Sequence, residues 1–134
     1  MAGISAYHEK QLLDFGLGGA GAVSQPASGS HGVGLSLGAP TSISASEIAT
    51  GSGWTRQPIG FAAAASPAGS ASNNTAATFG PGLTGATFSG LQIFDDTRSG
   101  TGNMLWYGNL ATPRTLGVGD SLVIATGALT ITLA

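Results

Sequence analysis

Asp95 and Asp96 are adjacent carboxylates, the residue type that acid/base catalysis or a calcium loop would use. Neighbouring positions at a strand end point to opposite sides, however, and Thr97-Arg98-Ser99-Gly100 follows with its own counter-charge, so the pair reads as part of a hairpin loop. His8 and His31 are the two histidines. They fall on different predicted elements with no ligand-type residue at local spacing, which makes them surface or packing residues and leaves no metal site. A serine nucleophile needs a histidine and a carboxylate held around it, and no serine here stands in a strand-turn-helix elbow. Gly16, Gly18 and Gly21 match the spacing of a dinucleotide fingerprint. The context fails: a predicted helix precedes, a Pro/Ser loop follows and the acidic residue about twenty positions on is missing, so no cofactor is expected. Asn73-Asn74-Thr75 matches a glycosylation sequon, but no secretory signal accompanies it and the match reads as chance. A sugar-cleaving enzyme would require two carboxylates about 5 to 9.5 Å apart in a groove, and six scattered acids do not predict one. Trp54, Trp106 and Tyr107 are left as a candidate sugar-stacking platform or as sandwich core and interface anchors, and the second reading is the more ordinary one.

The elements that would position these residues are mostly short strands. Gly90 to Asn109 reads as the central β-hairpin, with Leu91, Ile93, Leu105 and Tyr107 alternating with Gln92, Phe94, Met104 and Trp106 around a turn-forming segment 95–103. His31 to Leu37 predicts a strand with Val33, Leu35 and Leu37 on one face. Gly32, Gly34 and Ser36 on the other let another layer approach closely. Trp54 to Phe61 predicts a second strand, at an edge or bulge because Pro58 has no N–H to give. A small-residue loop over Ala62 to Ala71 and a short strand near Ala76 to Phe79 follow. Beyond the hairpin, Leu110 to Thr115 contains Pro113 and reads as loop or edge, Gly117-Val118-Gly119-Asp120 as a tight turn, and 121–125 and 128–133 as the last strands, the latter with a clean period of two. Seven or eight short strands separated by turn clusters predict an all-β sandwich or barrel, and an antiparallel β-sandwich over residues 31–134 is the expectation adopted.

Residues 1–15 predict a short N-terminal helical arm capped by Ser5, with Ile4, Tyr7, Leu12 and Phe15 forming one apolar stripe. About three turns do not hold alone in water, so the helix must dock, either on its own sandwich or on a neighbour. The Gly/Ala/Ser-rich linker 16–30 that follows favours the second, a binding arm.

Charged residues make up 7% of the 134-residue chain and the formal net charge is −2, against about 25% charged in an ordinary domain. With a mean hydropathy of +0.26 and 23 glycines, little opposes association of its faces, so the chain is expected to live assembled with other copies. Four Lys+Arg residues, far apart, form no stripe for phosphates, so nucleic acid is not expected as a direct partner. No run of eighteen apolar residues and no cleavable signal is present, which predicts no membrane partner and synthesis in a cytoplasm from about Met1.

In order along the chain stand Lys10-Gln11-Leu12-Leu13-Asp14, Val33-Gly34-Leu35-Ser36, Ala39-Pro40-Thr41, Trp54-Thr55-Arg56-Gln57 and Ser72-Asn73-Asn74-Thr75. Leu91-Gln92-Ile93-Phe94-Asp95, Asn103-Met104-Leu105-Trp106-Tyr107-Gly108, Thr112-Pro113-Arg114-Thr115 and Ala128-Leu129-Thr130-Ile131 complete the series. In this order the sequence resembles a family of small virion proteins of tailed bacteriophages, described as head decoration (cement) proteins and as tail-fibre-like proteins. The extended linker and the Ala62 to Ala71 loop depart from the family pattern. The resemblance implies a jelly-roll-like sandwich and a non-enzymatic structural role without cofactor. It further implies a homotrimer on the outer surface of the phage head, bound to the major capsid protein across its subunit joints, with Ile4, Tyr7, Leu12, Phe15, Trp54 and Trp106 as interface residues. A tail or tail-fibre module contacting the host surface is the alternative it implies.

Overall fold

The computed structural model describes residues 3–17, 29–43, 46–49, 51–65 and 69–132. They form β1 (Gly3–Ile4), α1 (Ala6–Gly16), β2 (Gly32–Ser36), β3 (Gln57–Pro58), β4 (Ser70–Ser72), β5 (Ala77–Phe79), β6 (Ala86–Phe94), β7 (Met104–Leu116), β8 (Leu122–Ile124) and β9 (Thr130–Thr132). All strand pairs are antiparallel. The expectation of an all-β antiparallel fold with a short N-terminal helix therefore holds. Most of the 16–30 linker lies outside the described residues.

The predicted hairpin is β6 against β7, the centre of a five-stranded sheet of order β1-β7-β6-β2-β3. β7 runs further than its sequence suggests, through the Pro113 segment. Residues 110–113 bulge opposite Ser89, between the pairs Gly90↔Asn109 and Phe88↔Arg114, so Pro113 sits where the ladder asks for no N–H. Pro58, in β3, takes the edge position its missing donor requires.

The second layer consists of two ribbons, β5–β8 and β4–β9. The last two strands form where period two places them, but they do not pair with each other. Asn73 joins the ribbons. Its buried amide donates to the carbonyls of Thr75 (2.8 Å) and Ala125 (2.9 Å) and accepts from the Leu129 N–H (2.9 Å), which ties the end of β8 to the start of β9.

Between the layers, Val33 and Leu35 of β2 and Phe88 of β6 meet Phe79 of β5 and Ile124 of β8, with Trp54 and Ile59 closing the cluster. Each such side chain contributes about 1.5–3 kcal/mol when fully buried. Trp54 donates its indole N–H to the Thr84 carbonyl (2.8 Å) and stands edge-on to Phe88, ring centroids 5.3 Å apart.

Helix α1 starts because Ser5, in extended conformation, accepts the His8 N–H (3.2 Å), leaving its own hydroxyl to donate to the Met104 carbonyl. Ser5 N–H also bonds the Leu105 carbonyl (2.9 Å), and Ala6 N–H that of Ser42 (2.9 Å). These bonds fix the helix on its own sheet. Of the two docks expected for the arm, its first turn takes the sandwich of its own chain: it is held by β7, because buried backbone carbonyls at Met104 and Leu105 need donors and Ser5 supplies them.

Candidate interaction surface

The residues that could do chemistry are spent on structure. Asp95 closes the hairpin loop: its two carboxylate oxygens accept from the backbone (2.6 Å) and side-chain amide (2.9 Å) of Asn103. Asp96 takes the Arg98 guanidinium (Nη2 to Oδ2 2.7 Å), the counter-charge read from the sequence, and this partner holds its carboxyl well below the usual range. His8 packs on Trp106 (5.2 Å between centroids) and His31 edge-on to Phe61 (6.2 Å). Burial lowers the pKa of both imidazoles; a neighbouring histidine adds to the effect at His8, and Asp95 opposes it at His31. Among the described residues no three of His, Asp and Glu come together as metal ligands. Gly18 and Gly21 of the glycine fingerprint lie outside the described residues, and Asn73 of the sequon is the buried ribbon hub.

One polar site escaped the sequence reading. Arg56, its side chain 1% exposed, pairs with Glu47 through two parallel bonds, Nε to Oε1 (2.8 Å) and Nη2 to Oε2 (2.7 Å). Its Nη1 donates to the carbonyls of Asp96 and Thr101 (2.8 Å each), and the guanidinium lies 3.5 Å from the centre of the Phe94 ring. The backbone N–H of Arg56 bonds the Ser99 hydroxyl (2.8 Å), so the ion pair grips the whole 95–103 loop. Gly32 and Gly34 make room: a Cβ on Gly32 would lie 2.5 Å from Arg56 Cδ, and one on Gly34 2.7 Å from Glu47 Oε1. The signal was present in two charges within a chain that has so few, facing glycines already read as a close-approach surface.

The expected interface residues divide. Trp54 is corrected: it is 0% exposed, a core residue unable to touch a partner or stack on a sugar. Ile4 and Trp106 are brought together as opposite partners in the β1–β7 pair. Both line an apolar groove of about 560 Å3, with Leu91, Ile93 and Leu110 on the sheet side and Leu129 and Ile131 of β9 across from them. Tyr107, Asn109, Thr130 and Thr132 also line it, and among the described residues no charged side chain does. Tyr7 and Leu12 are exposed on α1. The Phe15 side chain lies outside the described residues.

Helix α1 also carries an apolar pair that the predicted stripe omits. Leu13 is 61% and Leu17 81% exposed. At about 100° per residue, Leu13 falls about 140° round the helix from His8, away from the sheet, and Leu17 caps the helix just past its end.

These features define a class, a small all-β structural module whose unsatisfied surface is apolar. The family model of the podophage GP4 fiber I protein gp80 matches residues 3–132, from β1 to the end of β9, and the chain belongs to that family of phage virion proteins. No curated protein matches it.

Proposed function

We propose that this virion protein is a non-enzymatic building block of a phage fibre, the tail-fibre alternative above, held by packing against neighbouring protein. The observation that carries this reading is the family match across residues 3–132, whose description names a fibre protein. A surface with 7% charged residues and an uncharged apolar groove supports lateral contact with other copies, a trimer being the assembly proposed. Nucleic acid and membrane are not proposed as partners: Arg56 is buried in its ion pair, Lys10 and Arg98 are paired with Asp14 and Asp96, and the fourth cation, exposed Arg114, makes no basic stripe by itself. Among the described residues no helix is long and apolar enough to cross a membrane.

Head decoration on the major capsid protein is the second reading, favoured by the same low charge, since a cement protein adds apolar burial across capsid joints. Gold-labelled antibody on purified virions separates the two. Label confined to the tail region is the expected result. A uniform coat over the head would replace the fibre reading with decoration, and virions free of label would remove both.

A further inference from the structure

We propose that residues 37–43 form a strap that opens and closes across β6 and β7 while the rest of the fold stays intact, with the buried Gln92 side chain beneath it setting how readily it opens. This is a motion of the chain itself and stands apart from the fibre reading.

After β2 the chain leaves the sheet and crosses its polar face. The base of the strap is pinned where the Leu37 N–H bonds the Ser46 carbonyl (3.0 Å) and the Ser89 hydroxyl donates to the Leu37 carbonyl (3.2 Å). Pro40 then sits buried on Gly90 of β6, where a Cβ would lie 2.6 Å from Pro40 Cδ. At the far end the Ser42 carbonyl accepts the N–H of Ala6, whose neighbour Ser5 is bonded to Leu105 of β7 (2.9 Å each). Between these points the strap belongs to no strand, and Leu37 and Ile43 are exposed. A segment with so little buried and no ladder of its own opens at far less cost than the sheet under it.

What the strap covers favours opening. Gln92 lies two positions on from Gly90, on the same face of β6, and is paired across the ladder with Gly34. Its side chain is 0% exposed, and neither amide atom has a hydrogen-bond partner among the described residues. The Glu47 carboxylate that stands over Gly34 is engaged by Arg56 through both oxygens. A closed strap therefore carries the desolvation cost of a whole amide, and an open one returns that amide to water. Opening also breaks the Ala6–Ser42 bond and frees the first N–H of α1, while the Ser5 bonds to Met104 and Leu105 keep the helix docked. Strap and helix start are thus coupled through one hydrogen bond.

Residue-resolved amide exchange by NMR on the full chain, repeated at several low urea concentrations, tests this. The Ala6 amide is expected to exchange roughly tenfold faster than those of Ser5 and of Ile48, which bonds Leu35 past the strap base, and with little dependence on urea, because the opening exposes little surface. In that urea-independent range Gln92→Leu should slow Ala6 exchange about fivefold, since opening then relieves no polar group, and Pro40→Gly should quicken it. Gln92→Met takes the place of Gln92→Leu if circular dichroism shows that variant unfolded. An Ala6 amide that exchanges with the urea dependence of Ile48 overturns the proposal, because global unfolding alone would then expose it. A single rate for Ser5 and Ala6 overturns it too, since the helix start would be undocking as a whole. An Ala6 rate indifferent to the Gln92 substitution removes Gln92 from the motion and the proposal with it.

Discussion

The two faces of the five-stranded sheet are finished in opposite ways. On the face shared by Gly32, Gly34 and Phe94, the Arg56–Glu47 pair, the 95–103 loop and a cation-π contact close the surface with the chain's own groups. On the face shared by Leu91 and Ile93, the β7 end is left as an open apolar groove. The polar face had to be completed internally, because a buried charge without its partner costs more than the fold can spare. The apolar face tolerates incompleteness, since half-buried leucine and isoleucine such as Leu91 and Ile131 cost little where they still meet water. A fold can leave one surface incomplete and still form, provided that surface is the apolar one.

The sharpest way to break this contrast is Arg56→Leu, which strands the Glu47 carboxylate. A loss of about 3–5 kcal/mol in urea unfolding is expected, with much of it recovered in Arg56→Leu/Glu47→Leu; an unchanged midpoint for the single variant would mean the pair does not hold the loop. Next comes the seam between helix and sheet. Ser5→Ala removes both the cap and the donor to Met104, and a loss of about 1–2 kcal/mol is expected, measured in the same way. Among the described residues the polar face has a flaw: both amide atoms of the buried Gln92 side chain lack a hydrogen-bond partner. Gln92→Leu should therefore stabilise by about 1 kcal/mol, the reverse of what a fully satisfied amide would give. The smallest effect is the response to acid. His8 and His31 are held below their ordinary 6.5 mainly by burial, so above that pH both are neutral in folded and unfolded chains and stability is flat. As pH falls through 6.5 the unfolded chain takes up protons first and the fold loses stability. Melting temperature should decline from pH 7 to pH 5, and the decline should shrink in His8→Gln/His31→Gln; a flat profile in the wild type would contradict the burial of both rings.

Much of the scaffold was legible because it is written locally. Val33 and Leu35 alternate with glycines, the turn residues between Phe94 and Met104 mark a hairpin, and Ser5 marks a helix start, all within a few positions of the structure they specify. The helix stripe through Ile4 was read as a reach toward a neighbour because nothing local reveals that Met104 and Leu105, far along the chain, present the carbonyls that capture Ser5. Trp54 and Trp106 were equal candidates for the same reason: both are tryptophans in short strand-like contexts. Only packing separates the one sealed against Phe88 from the one that borders the groove.

The sequence by itself determined the strand periodicity, the turns, the helix cap and the sparse charge, since these depend on side chains a few residues apart. The tertiary structure decided where Arg56 finds Glu47, which face of α1 is spent, and that β7 and β9 leave an uncovered groove between them. Those outcomes depend on long-range pairing, where a residue's neighbours in space are set by the register of whole strands, and no short window of sequence contains that register.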